Sequence, residues 1–197
     1  VWGIGYTNLI TYPCEHLDAY SGLTADAMEK CDLHYMCMLD NTGMLEDMEG
    51  VRKRLDAFAS YDNIKGAIWE LDPNRYESGK GRVVFSSNGK PFVSVRLSLW
   101  HPSNRPENIT REWLDGYADI INSYPVSPST IDGYSVLNIH PWTVKVEDVD
   151  YLVSRLDDHV EIVYVNELLD AIDKNVEKVD KFPTNYKKKK KIMPIVR

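Results

Sequence analysis

Strand-like and helix-like segments alternate along most of this 197-residue chain, and that alternation limits the folds open to it. The run DLHYMCMLD at residues 32–40 has the composition of a strand. In the segment that follows, apolar residues recur at the spacing of one helical face. A strand, a helix and a second strand form the repeating unit of a parallel sheet. The sequence therefore predicts an α/β domain with a mainly parallel sheet.

Five strands are predicted to lie in that one sheet. They span residues 32–40, 65–72, 91–100, 134–140 and 160–164. Counting the opening segment, the chain offers about six strand–helix units, fewer than the eight of a full (β/α) barrel. No glycine-rich phosphate loop follows a strand, so no nucleotide cofactor is predicted. We expect an incomplete or irregular (β/α) barrel with one β-hairpin inserted at Asn88-Gly89.

The helices between these strands are predicted from their apolar stripes and caps. The helix after the first strand is expected to place on one face Met44, Met48, Val51, Leu55 and Phe58. Thr110 and Asn166 precede later helical patterns and are predicted N-caps. The three cysteines, Cys14, Cys31 and Cys37, have no CxxC spacing, which predicts neither a zinc site nor a disulfide framework; a single bridge between Cys31 and Cys37 stays open.

Charge and hydropathy limit the classes of partner that the chain is expected to bind. Five of its 23 basic residues form a lysine block at 187–191, so the body holds 18 basic and 30 acidic residues. Because nucleic acids and anionic membranes bind basic surfaces, neither is a predicted partner. No apolar run of about 18 residues predicts membrane insertion. We expect one domain over residues 1–180 and a lysine-rich tail or linker over 181–197; the initial Val1 indicates a piece of a longer protein.

Four predicted strands end in polar or aromatic side chains. These are Asp40; Glu70 and Asp72; Arg96, Ser98 and Trp100; and Asn138 and His140. Since the carboxyl ends of parallel strands meet at one edge, a functional site is expected there.

Each of these residues also has a structural interpretation. Asp40 can cap a turn, Glu70 can form an ion pair with Arg96, and His140 can belong to a polar network in the core. Trp100 and Trp142 can be core residues instead of sugar platforms. Both interpretations stay open from these residues alone.

Three stretches of the chain resemble a known family over residues 3–172. They are GIGY with the later TYP, NGKPFVSVRLSLW, and LNIHPW. The sequence is similar to the C-terminal domain of the GxGYxYP family of putative glycoside hydrolases. Gly3, Gly5 and Tyr6 match the family motif, whereas Tyr12-Pro13 follows after five intervening residues instead of one.

The resemblance implies a carbohydrate-active protein, secreted or at the cell surface, with an N-terminal domain elsewhere in its parent protein. LNIHPW is also similar to the last strand motif of polysaccharide deacetylase barrels, and this resemblance implies that the irregular barrel is similar to a deacetylase barrel. The H-x-x-x-H ligand set of those enzymes is not found here.

The leading hypothesis is hydrolysis of a poly- or oligosaccharide by paired carboxylates at the strand ends. The catalytic candidates are Glu70, Asp72, Asp40 and His140, and the candidate substrate contacts are Tyr6, Arg96, Trp100, Asn138 and Trp142. His140 and Arg96 are expected to tune the charge of the carboxylates, and no metal site is predicted. Two alternatives remain: a non-catalytic carbohydrate-binding or structural module, and a metal-dependent, deacetylase-like hydrolase.

Overall fold

Strands and helices alternate through the residues that the computed structural model describes, which are 4–5, 7–9, 11–40, 48–71, 77 and 79–178. For residues 40, 48–50 and 71 it describes the backbone alone. The strands are β1 (Tyr35–Asp40), β2 (Gly66–Leu71), β3 (Val83–Phe85), β4 (Pro91–Ser94), β5 (Leu97–Leu99) and β6 (Leu137–Ile139). The helices are α1 (Leu17–Lys30), α2 (Met48–Ala59), α3 (Arg111–Asn122), α4 (Val146–Ser154) and α5 (Val165–Asn175). This confirms the mixed α/β class.

A four-stranded sheet holds β1, β2, β4 and β3 in that order. β1, β2 and β4 run parallel, as predicted, and β3 pairs antiparallel with β4. The predicted hairpin joins β3 to β4: the Gly89 N–H donates to the Ser86 carbonyl at 2.9 Å. Gly89 takes a φ of +83°, a conformation that glycine adopts without strain.

Both faces of this sheet are covered by helices. On one face, Trp69 of β2 packs with buried side chains of α1 and α2, including Met28 and Phe58. On the other face, Ile68 packs with Leu169 of α5. The apolar side chains of successive β2 residues therefore alternate between two cores, as the period of a strand requires.

A second, two-stranded sheet pairs β5 with β6 in parallel. The chain changes sheets at two adjacent residues. The Val95 N–H donates to the Trp69 carbonyl at 3.0 Å, whereas the Arg96 N–H donates to the Val136 carbonyl at 2.9 Å. The predicted long strand 91–100 is therefore divided into β4 and β5.

The prediction of one sheet is consequently wrong, because the change of partner at Val95 and Arg96 sends β5 to β6. The described residues form two small sheets and no closed barrel. One part of the irregular-barrel prediction is supported: parallel strands alternate with helices. The barrel itself is not confirmed.

Helices α3 and α4 cover the second sheet. Leu99, Leu114 and Leu152 lie in one buried cluster formed by β5, α3 and α4. The predicted N-cap of α3 is confirmed, since the Trp113 N–H donates to the Thr110 hydroxyl at 3.1 Å.

The predicted strand at 160–164 is not a strand in the structure. Its valines and isoleucine suit a pleated sheet, but that preference requires neighbouring strands to pack against. The last helix begins at Val165 with Tyr164 as its N-cap, so the predicted N-cap at Asn166 is also wrong. Residues 181–197, predicted to be a tail, lie outside the described residues.

Among the helices that the structure describes, none has both the length and the apolar character needed to cross a membrane.

Candidate functional site

The register of the second sheet places two aromatic side chains side by side. Leu99 of β5 and Ile139 of β6 are ladder partners, so the next residues, Trp100 and His140, leave the sheet together. Their rings stack with centroids 3.8 Å apart and planes within 5° of parallel. This stacked pair forms an aromatic surface at the carboxyl end of β5 and β6, where the sequence predicts a site.

Trp142 extends this surface. Its ring centroid lies 5.1 Å from that of His140, and the residue is 77% exposed. The turn between them is held by Thr143, whose N–H donates to the His140 carbonyl at 3.0 Å and whose hydroxyl lies 3.2 Å from His140 Nδ1. We call Trp100, His140 and Trp142 the aromatic shelf.

The loop after β5 fixes one edge of the aromatic shelf. The Trp100 indole N–H donates to the side-chain oxygen of Asn104. Asn104 has a φ of +54°, and such left-handed conformations are favoured by asparagine among non-glycine residues. The neighbouring His101 ring packs edge-on to Trp113, with centroids 5.1 Å apart. Trp100 is therefore oriented from both its ring face and its N–H.

Glu70 is a half-buried carboxyl on β2. Burial raises its pKa, and a hydrogen bond with the Cys37 thiol on β1 lowers it by a smaller amount. A carboxyl with a raised pKa retains a proton to higher pH and can act as a general acid. Glu70 thus has the electrostatic property expected of the acid in a glycosidase.

Arg96 does not form the predicted ion pair with Glu70. Its guanidinium donates to the Asp132 and Tyr134 carbonyls at 2.7 and 2.9 Å and to the Asp132 carboxylate at 3.2 Å. It also lies over the Tyr124 ring, 4.4 Å from the centroid, and is only 4% exposed. The ion-pair interpretation is wrong because Asp132 occupies the guanidinium, and this geometry favours a structural role for Arg96.

The structure brings some predicted residues together and separates others. Trp100, His140 and Trp142 form the aromatic shelf, and Asn138 lies beside Ser98 in the β5–β6 ladder.

The carboxylate candidates lie elsewhere. Glu70 belongs to the four-stranded sheet. The backbone of Asp40 ends β1 opposite Leu71. Tyr6 and Asp72 lie outside the described residues, so their predicted roles stay predictions.

Two carboxylates with clear roles were not predicted. Asp132 holds Arg96, and Glu77 accepts the Ser98 N–H at 2.9 Å and the Lys80 ammonium at 3.0 Å. The sequence offers a signal for the first, because Thr130 two residues earlier favours a turn that Asp132 joins through its N–H. Glu77 carries no comparable local signal.

A cavity of about 210 Å³ opens at the other end of the four-stranded sheet, by the residues that precede β2 and β4. Its lining includes Lys65, Lys90, Lys178, Asp170 and Asp173. Burial and the neighbouring Lys65 lower the pKa of Lys90. Because lysines and aspartates are mixed around it, the cavity has no strong preference for one sign of charge.

The described residues contain no group of three histidine, cysteine, aspartate or glutamate side chains arranged to hold a metal ion. None of the three cysteines forms a disulfide, so Cys31 and Cys37 are not bridged.

A solved structure has a fold similar to that of this chain. It is described as a putative hydrolase from Bacteroides thetaiotaomicron VPI-5482, with a TM-score of 0.72 and 22% sequence identity. The similarity covers 88% of this chain and 32% of that protein, so this chain spans about a third of its length. No curated protein matches the sequence.

A family comparison covers most of the sequence. The profile described as the GxGYxYP putative glycoside hydrolase C-terminal domain matches residues 1–173. These residues include both sheets, the aromatic shelf and Glu70. The chain therefore belongs to the GxGYxYP family, as its C-terminal domain.

Proposed function

We propose that this domain binds a poly- or oligosaccharide on the aromatic shelf and hydrolyses a glycosidic bond with Glu70 as general acid. The observation that carries the proposal is the face-to-face stack of Trp100 and His140, with the exposed and tilted Trp142 beside it. Sugar rings present apolar C–H faces, and flat aromatic surfaces bind them while hydroxyl groups remain solvated. Membership of a family described as glycoside hydrolases supports the same substrate class.

The chemistry requires two carboxyl groups with different protonation states. Glu70, whose pKa is raised by burial, donates its proton to the glycosidic oxygen as the bond from that oxygen to the anomeric carbon breaks. A second carboxylate acts as base or nucleophile, and water supplies the hydroxyl group of the new reducing end. Asp72 and Asp40 are our candidates for that second group.

The proposal extends to the setting of the domain. Polysaccharide substrates favour secretion or display at the cell surface. The limited share of the similar hydrolase that this chain covers supports a parent protein with an additional, N-terminal domain.

A non-catalytic carbohydrate-binding module is the second candidate. One observation favours it: Glu70 lies in the four-stranded sheet, whereas the aromatic shelf follows the two-stranded sheet. Such a module binds glycans through the shelf and has no turnover to lose when Glu70 is changed.

The two candidates are separated by assaying a glycan panel with the Glu70→Gln variant. This change preserves size and removes the proton, so we expect turnover to fall at least about a hundredfold while binding is retained. Glu112→Gln, an exposed change on α3, is the matched control and should leave turnover unchanged. Wild-type protein that binds a glycan of the panel and hydrolyses none of them would replace the enzyme proposal with the binding module.

A further inference from the structure

The segment between α4 and α5 is apolar and exposed in a way that indicates a missing neighbour. Four consecutive residues, Ile162, Val163, Tyr164 and Val165, are exposed to 64, 37, 79 and 45%. Single exposed apolar residues are common on protein surfaces, whereas a continuous apolar patch marks a contact surface.

The backbone of this segment points to the same conclusion. The Val160 N–H donates to the Asp157 carbonyl at 2.9 Å, and the Tyr164 N–H donates to the Glu167 carboxylate at 2.8 Å. Between them, the amides of residues 161–163 have no hydrogen-bond partner among the described residues. Unpaired amides beside β-branched side chains resemble the free edge of a sheet, which recruits a further strand.

We propose that residues 161–163 pair with a β-strand of the parent polypeptide that lies outside these 197 residues. The similar hydrolase supports this source, because the part of it that matches this chain is 32% of its length and leaves most of that polypeptide to supply neighbours. The family description as a C-terminal domain agrees.

The charge around the segment favours this occupant over a second copy of the chain. Asp157, Asp158 and Glu161 are exposed beside the apolar residues. Two copies of this segment would bring like charges together, which is unfavourable at a strand pair. A strand with basic residues beside apolar ones would complement the segment.

The proposal is tested by amide hydrogen exchange at residues 161–163. Exchange is measured in the 197-residue chain and in the complete polypeptide that its gene encodes. We expect rapid exchange in the chain alone and exchange at least about a hundredfold slower in the complete polypeptide, because ladder hydrogen bonds protect amides.

A pair of variants links that protection to the exposed face. Ile162→Glu should leave the melting temperature of the 197-residue chain unchanged and restore rapid exchange at residues 161 and 163 in the complete polypeptide. Val126→Glu introduces the same charge at a 74% exposed position in another loop and should change neither measurement.

Three outcomes would overturn the proposal. Slow exchange in the dilute 197-residue chain would place the partner within that chain. Protection that rises with the concentration of the chain would identify a second copy. Rapid exchange in the complete polypeptide, or a gene that encodes no further segment, would remove the proposed strand.

Discussion

Trp100 and His140 lie face to face, with ring centroids 3.8 Å apart and planes 5° from parallel. The stack depends on the β5–β6 register, since a shift of one residue would turn one of the two side chains to the opposite face of the sheet. The backbone of the second sheet therefore determines the shape of the aromatic shelf. Trp142, attached through a turn and largely exposed, can be changed without disturbing that register.

Trp142→Ala should weaken glycan binding about tenfold, or about 1.4 kcal/mol, and leave the melting temperature unchanged. The residue is 77% exposed, so its removal creates no cavity in the core. Calorimetric titration with a glycan that binds the wild type measures the effect. Tyr164→Ala, which removes another highly exposed aromatic ring, is the control in the 197-residue chain. Equal losses in both variants would contradict a specific role for the shelf.

Glu70 should make stability depend on pH. Its ordinary pKa of 4.5 is raised in the folded protein by burial, so the folded state binds this proton more tightly than the unfolded chain. The free energy of unfolding should therefore fall as pH rises from 4.5 through the raised folded pKa. In Glu70→Gln the side chain cannot ionise, so this fall in the free energy of unfolding should be absent.

Urea denaturation of the wild type and Glu70→Gln checks this prediction at about pH 4 and about pH 8. The free energy of unfolding of Glu70→Gln, relative to that of the wild type, should be higher at the upper pH than at the lower pH. A constant difference between the two proteins would show that burial does not perturb this carboxyl.

Arg96→Met should destabilise the domain by about 3–5 kcal/mol, because it leaves a partly buried Asp132 carboxylate without its partner. It also removes the donors to the Asp132 and Tyr134 carbonyls. The control is Arg155→Met, since Arg155 is 55% exposed at its side chain and its pair with Asp115 should contribute less than about 1 kcal/mol. Denaturant unfolding compares the two losses. Similar values would show that the Arg96 cluster is not structural.

Local patterns predicted the elements whose neighbours are close in sequence. The Asn88-Gly89 hairpin and the Thr110 N-cap depend on residues a few positions away, and both are confirmed. The strand that carries Glu70 was likewise predicted, because the composition of a strand is a local property.

Features that depend on distant partners were not predicted. Nothing near Val95 and Arg96 indicates that their amides bond to different sheets, through Trp69 and Val136. Likewise, the partner of Arg96 is Asp132, more than thirty positions along the chain. Sequence patterns identify which residues need a neighbour, whereas the tertiary fold determines which neighbour they contact.

Two glycines give a final test of the packing between β2 and β4. A Cβ added at Gly66 would lie 2.6 Å from the Pro91 carbonyl oxygen and 3.3 Å from Leu169 Cδ1, so Gly66→Ala must separate the two strands or shift α5. We expect a loss of about 1–3 kcal/mol, the usual cost of overpacking a core.

The matched change is Gly116→Ala on α3, where an added Cβ meets nothing within 4 Å. An alanine there should stabilise the domain by about 1 kcal/mol, because glycine is a poor helix former. Urea denaturation should therefore show that the free energy of unfolding falls in Gly66→Ala and rises in Gly116→Ala. If Gly66→Ala were as stable as the wild type, the close approach of β2 to Pro91, and with it the parallel β2–β4 pairing that carries Glu70, would be wrong.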